Sequence, residues 1–309
     1  PPPHRANARP WTHADALCTH PAFAGCTQAA VNNALADVAT LLRCPRHCLG
    51  VVAAGRGAVA GNLILREGGT TAAVDCSDRG AGGHAISGDI EALLRSEIVA
   101  CDAQALLVIE KDATFQQLVE ARLWESFPCV MLTAKGYPDL GTRALLKALH
   151  VAMPSVPVLA VVDWNPHGCA IILTYRNGGF ARSLDRSAAG TARNENGPTG
   201  AAPSKTEQNG DEMDVLDVPT IAWLGPLEVD LDELPASSFK PLGPRGKATL
   251  DSLLSSPGLQ GPARARERFE LEAMARSKLT AEIQSVDAAL GHGQLERMLL
   301  RKLVRWPHV

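Results

Sequence analysis

The chain has 309 residues, length for about two domains with a substantial core. Hydrophobic residues make up 46% and charged residues 20%, with a mean hydropathy of −0.02, which excludes a wholly disordered chain, a coiled coil and a collagen-like repeat. The net charge of −3 excludes a uniformly basic nucleic-acid binder but leaves room for a local patch, and the apolar stretch 148–162 is broken by Pro154 and Pro157, short of the ~20 residues of a membrane span.

Residues 1–12 open with Pro1-Pro2-Pro3 and no methionine, which reads as a frayed start of an incomplete chain. Thr27 is placed to cap a helix in which Val31, Leu35, Val38, Leu41 and Leu42 recur at helical spacing, with Pro45 beyond its end. A strand is expected over 49–54, then the glycine-bearing run 55–61. A helix is expected over 89–98. From there short apolar runs alternate with amphipathic segments: strand 105–109, helix 113–123, strand 130–133, helix 142–150, strand 158–162 and a helix beginning at 169. That alternation predicts an α/β fold, an open parallel sheet with covering helices, whose site lies at the carboxyl ends of the strands. Residues 182–217 lack periodicity and read as a disordered surface insertion. Order is expected to return at 218–225. The tail reads as helical, with Arg264, Arg266, Arg268, Arg276 and Lys278 on one helix and Arg297, Arg301, Lys302 and Arg305 on the next. These basic helices read as phosphate contacts or as solvated mixed-charge faces.

Eight cysteines are scattered without paired spacing, which favours reduced thiols over a disulfide framework. Cys44, His47 and Cys48 cluster, but a C-x3-C without a second pair does not make a zinc site. The run Gly55 to Gly61 has G-x-G-x-x-x-G spacing, which departs from the dinucleotide fingerprint.

Three successive strand ends carry charge: Glu110-Lys111-Asp112, Lys135-Gly136-Tyr137-Pro138-Asp139 and Asp163-Trp164-Asn165-Pro166-His167-Gly168. Acidic residues in such places can simply cap helices. If the strands are neighbours, however, Glu110 and Asp163 converge at one edge and repel unless a cation lies between them. Hard oxygen ligands suit Mg²⁺, the ion that phosphoryl-transfer chemistry uses.

Taken together, these three motifs resemble the signature of the family that holds the meiotic double-strand-break transesterase and the A-type chain of DNA topoisomerase VI. The Asp-Trp-Asn-Pro form is similar to plant-type members, and Trp223-Leu224-Gly225 resembles a further landmark. The resemblance covers roughly residues 12–309 apart from the insertion. It implies a partial winged-helix domain with linker strands over 13–75 and a Toprim domain over 76–309. It implies a Mg²⁺ site on Glu110, Asp163 and Asn165, the last standing where many members have a second aspartate. Lys135 would be a catalytic residue near phosphate, Arg143 a second DNA-binding residue, and Asp139 with Arg143 would hold the loop. The implied activity is DNA double-strand breakage by transesterification in meiotic recombination, in the nucleus. The implied partners are double-stranded DNA, a second copy in a homodimer and a separate ATP-binding topoisomerase VI B-like chain, with no membrane. The family's tandem aromatic residues precede a segment matching Thr19-His20-Pro21-Ala22-Phe23; here those positions read Leu17-Cys18, so Cys18 occupies the place of the nucleophilic tyrosine. A non-catalytic DNA-binding paralogue and a dinucleotide-binding enzyme are the alternative readings.

Overall fold

The computed structural model describes residues 11–12, 27–42, 51–52, 55–177, 216–256 and 259–306. Cys18, Cys44, His47 and Cys48 lie outside them, as do residues 13–26, 43–50 and 53–54 of the expected winged-helix segment and residues 182–215 of the expected insertion.

Helix α1 spans Gln28–Leu42, with the Thr27 hydroxyl accepting the Ala30 N–H at 3.2 Å, as a cap should. Next come strands β1 (Ala58–Gly61), β2 (Leu63–Arg66), β3 (Val74–Asp75) and β4 (His84–Ala85), helix α2 (Ile90–Leu94) and strand β5 (Glu97–Cys101). The repeating part follows: β6 (Ala105–Ile109), α3 (Asp112–Glu120), α4 (Leu123–Ser126), β7 (Cys129–Thr133), α5 (Leu140–Ala152), β8 (Val158–Val161) and α6 (Pro166–Asn177). The C-terminal part holds β9 (Ala222–Gly225), α7 (Glu228–Leu231), β10 (Phe239–Pro241), α8 (Pro244–Leu254), α9 (Ala265–Ser277), β11 (Leu279–Ala281), α10 (Ser285–Leu290) and α11 (Gln294–Arg305).

The main sheet has the order β9-β8-β6-β7-β1-β4. Its first four strands are parallel, and β1 and β4 join antiparallel at one edge, so the sheet is mixed. β1 lies before residue 76 yet pairs along its whole length with β7, so this sheet draws on residues that the sequence reading placed among the linker strands. Every residue of β6 and β7 is buried, the burial expected of strands covered on both faces. Leu106 and Val108 face a core with Leu145, Leu149, Ile172 and Leu253, while Leu107 and Ile109 face the other with Phe115, Leu118 and Leu299. Helices α5, α6 and α8 therefore cover one side of the sheet, and α3 and α11 the other. Each such Leu, Ile or Phe contributes about 1.5–3 kcal/mol by leaving water.

The helix expected over 89–98 stops at Leu94, and Glu97–Cys101 is instead an antiparallel strand beside β2. Pairing with a neighbour has overridden local helix propensity there. The run from Gly55 enters an antiparallel strand and is followed by β2, so no helix N-terminus stands behind it to receive a dinucleotide phosphate. The last two residues of the expected insertion, Leu216 and Asp217, are buried. Val218 N–H donates to the Tyr175 carbonyl at 2.9 Å, and Lys147 Nζ donates to the Asp217 carbonyl at 2.9 Å, fixing the chain where it rejoins the sheet.

Cys76, Cys129 and Cys169 are buried and unpaired, and burial pushes the first two thiols up to about 12. They behave as small apolar residues, as the spacing suggested. Among the described residues no helix is long and apolar enough to cross a membrane.

Candidate metal and nucleic-acid site

Strands β6 and β8 are adjacent and in register, with Ile109 opposite Val161. The chain leaves β6 through Glu110 and β8 through Val162 and Asp163, so both acids emerge at the same edge. There the Asp163 N–H donates to Glu110 Oε2 at 2.8 Å. The loop after β7 is drawn in as well, because Gly136 N–H donates to the Glu110 carbonyl at 2.9 Å. All three charged strand ends thus meet, as the alternation predicted.

Asp163 is 5% exposed. Its Oδ1 accepts the Ile283 N–H at 2.9 Å, and its Oδ2 lies 3.1 Å from Lys111 Nζ. Burial, reinforced by the Asp163 charge, pushes the Glu110 carboxyl up to about 7. Burial also raises Asp163, against the backbone hydrogen bond from Ile283 and the charge of Lys111. Two desolvated carboxyls side by side are short of positive charge.

The rest of the edge is shared among helix starts and ion pairs. Asp139 Oδ1 accepts the Thr142 N–H at 2.8 Å and caps α5. Asn165 Oδ1 accepts the Gly168 N–H at 2.9 Å at the start of α6, so the oxygen that the sequence offered to a metal is turned to the helix. Its amide nitrogen is the group nearer Asp163, at 3.5 Å from Oδ2. Gly168 itself must be small: a Cβ there would stand 2.3 Å from the Asp163 carbonyl oxygen. Lys135 has a left-handed backbone (φ 58°), and its ammonium reaches Asp112 at 3.3 Å while staying partly exposed. Tyr137 Oη lies 3.3 Å from His167 Nδ1, and Arg56 donates to the Tyr137 carbonyl at 3.3 Å.

Two expected DNA contacts are corrected. Arg143 is 3% exposed and pairs with Asp217 at 3.1 Å, so it ties α5 to the segment before β9 and does not face solvent. Lys302 is buried, donates to the Leu224 carbonyl at 2.9 Å and pairs with Asp230. Arg297, Arg301 and Arg305 on the same helix are exposed. On α9, Glu267 and Glu270 turn inward, so that helix is anchored by its acids and is not a freely solvated charged face.

The sequence reading missed Glu282 and Gln284, which follow β11. Both accept from Lys111 Nζ, at 3.1 Å and 2.7 Å. Neither belongs to a local motif, and they are brought to the edge by the bridge between Trp164 and Ala281 and by the Ile283 N–H on Asp163. Lys111 itself was legible within the first strand-end motif.

Among the described residues no group of three or more His, Cys, Asp or Glu side chains is set up to hold a metal ion. Two carboxylates at an open strand edge fit a hard cation that keeps most of its ligands as water or phosphate oxygens, which is the habit of Mg²⁺. The raised carboxyls make a prediction for the metal-free chain. Between pH 4.5 and about 7 the unfolded state ionises Glu110 and the folded state resists it, so the folded state holds more protons. Stability is therefore expected to fall as pH rises through that window and to level off above it. Melting temperatures in chelator from pH 5 to 8 check this, and Glu110→Gln should flatten the slope. A melting temperature that climbs over the same range contradicts it.

The family model for the Toprim domain of Spo11 and the topoisomerase 6 A-type chain matches residues 105–193. The meiotic recombination protein SPO11-2 of Arabidopsis thaliana is 36% identical over 295 residues, covering 95% of this chain and 67% of that protein. The meiotic recombination protein SPO11 of Mus musculus is 34% identical over 283 residues, or 90% of this chain and 62% of that protein. The A-type chain of DNA topoisomerase 6 from Arabidopsis thaliana is 32% identical over 256 residues, 82% of this chain and 52% of that protein. With its Toprim sheet, its paired strand-end acids and this breadth of similarity, the chain belongs to the family of Spo11 and the A-type chain of topoisomerase VI.

Proposed function

We propose that this chain acts on double-stranded DNA in meiotic recombination, as a Toprim-bearing A-type protein of a Mg²⁺-dependent transesterase that makes double-strand breaks. One observation carries the reading: Glu110 and Asp163, 53 residues apart, emerge on adjacent strand ends, where the Asp163 backbone N–H donates to Glu110 Oε2 at 2.8 Å. Both would hold the cation, whose chemistry is to neutralise phosphate oxygens as charge shifts between attacking and leaving groups. Lys135 is the candidate phosphate contact, held near the site by its pair with Asp112. Arg297, Arg301 and Arg305 add positive charge on another face. The reading extends to a homodimer in which the nucleophile of one protomer works at the Toprim site of its partner, to an ATP-binding B-like partner and to the nucleus.

Affinity for a DNA duplex, measured across a salt series with and without Mg²⁺, tests this function. Mg²⁺ is expected to tighten binding. Glu110→Gln or Asp163→Asn is expected to remove that gain, lowering affinity in Mg²⁺ about tenfold or more, with little change in its absence. A duplex affinity indifferent to Mg²⁺ in the unaltered chain would overturn the reading.

A second reading is supported by Leu17-Cys18 at the tandem-aromatic position: a non-catalytic paralogue that binds DNA and assembles but forms no covalent link. Duplex binding is common to both readings; only the adduct separates them.

A further inference from the structure

We propose that Lys111 is a built-in counter-cation of this site, which competes with the divalent ion for Asp163 and is held back by Glu282. The inference rests on Glu110 and Asp163 being the metal carboxylates, and it concerns what limits their affinity.

Three side-chain oxygens surround Lys111 Nζ, two as hydrogen-bond acceptors and one as an ion-pair partner. Asp163 Oδ2 lies at 3.1 Å, Glu282 Oε2 at 3.1 Å and Gln284 Oε1 at 2.7 Å. Asp163 Oδ1 accepts the Ile283 N–H at 2.9 Å, while Oδ2 is the oxygen that faces the lysine. A cation on Oδ2 takes up the oxygen that Lys111 pairs with, and a cation on Oδ1 of the same carboxylate still lies close to the ammonium. Two positive charges cannot share that carboxylate without mutual repulsion, so the lysine lowers the site's affinity.

Glu282 sets the balance. Its Oε2 holds Lys111, while Oε1 pairs with Lys240 from β10. The carboxyl is held below its ordinary value by the hydrogen bond from Lys240 and then by Lys111, so it stays charged. The strand pair β10–β11 carries Lys240 and leads directly into Glu282, and it docks on the site through the Ala281 N–H to the Trp164 carbonyl at 3.0 Å. Lys111 Nζ lies 3.1 Å from Asp163 Oδ2 and 3.1 Å from Glu282 Oε2, so a charged Glu282 shares the ammonium and weakens its hold on Asp163. Glu282 is thus a positioning residue that acts through the lysine.

Calorimetric titration of the full chain with Mg²⁺, and electron paramagnetic resonance with Mn²⁺, read affinity without any need for turnover. Lys111→Met is expected to bind about tenfold tighter than the unaltered chain, and Lys111→Arg, which keeps the charge, to stay near it. Lys111→Gln keeps a donor, drops the charge and should follow Lys111→Met; it serves if the methionine variant folds poorly. Glu282→Gln is expected to weaken binding by about threefold, and to have no further effect in the Lys111→Met background, because its influence passes through the lysine. If Lys111→Met and Lys111→Gln bind no tighter while Glu110→Gln abolishes binding, the counter-cation role is overturned and the metal site stands. Weakening by Glu282→Gln that persists without Lys111 makes Glu282 a ligand and overturns its indirect role. If Glu110→Gln leaves affinity unchanged, the metal reading itself fails, and the inference falls with it for that separate reason.

Discussion

Cys18→Tyr is expected to raise covalent attachment of the chain to DNA far above the level that the unaltered chain reaches. Leu17-Cys18 falls where the resemblance expects tandem aromatics, and the two tyrosines of the chain, Tyr137 and Tyr175, lie elsewhere. Tyr175 is fully buried, and its hydroxyl is pushed up by burial. Tyr137 belongs to the loop after β7 and contacts His167. A cysteine thiol ionises more readily than a phenol, at roughly 8.5 against 10, so acidity is not the obstacle. Reach is the obstacle: sulfur sits several bonds closer to its backbone, and a misplacement of about 1 Å can already cost about 100-fold. Sulfur is also a soft nucleophile facing a hard phosphorus centre. Adduct yield from the tyrosine variant is thus expected to exceed that of the unaltered chain by about 100-fold or more. Mass spectrometry of DNA-linked peptides reads the yield, and rescue of a strain lacking its own break-making enzyme reads the consequence. An adduct on Cys18 in the unaltered chain would refute the reach argument. Failure of the tyrosine variant to form one, with duplex binding intact, would favour the non-catalytic reading.

Removing either half of the Arg176–Glu267 pair is expected to cost about 3–5 kcal/mol of stability, or roughly 10 °C in melting temperature. The side chains are 3% and 4% exposed, and Nη2 lies 2.5 Å from Glu267 Oε1. The same nitrogen donates to the Ile221 carbonyl at 2.5 Å. This single guanidinium therefore joins α6, the segment entering β9, and α9. Arg176→Met leaves a buried carboxylate without its counter-charge, and Glu267→Leu leaves a buried guanidinium without its own. The double variant removes both charges and should recover most of the loss, since an apolar pair of similar volume is often as stable as a buried ion pair. Denaturant melts of the four proteins measure the coupling. Equal, additive losses would mean that the two side chains do not depend on each other.

The contacts behind these expectations differ in how visible they were from the residues alone. Glu110 and Asp163 were legible because each ends a short buried strand, and parallel neighbours deliver their ends to one edge. Asp139 and Asn165 carried the same local signal, yet the structure uses their oxygens to cap helices α5 and α6. Arg143 and Lys302 read as surface cations because nothing in their neighbourhood announces Asp217 or Asp230. Glu97 and Ile98 read as the end of a helix because the partner of their strand, Leu63–Arg66, is remote in sequence.

The sequence by itself determined the alternation of strands and helices, the edge at which charge collects and the family to which the motifs point. These features are written in windows of about ten residues, where side-chain periodicity and backbone capping act. Only the tertiary structure decided which charges are buried and which pairs they form. Arg176 meets Glu267 across 91 residues, and Lys111 meets Glu282 across 171. Such pairings arise from chain closure around a common core, where a charge must find its partner wherever folding has placed it, since an unpaired one is too costly to bury.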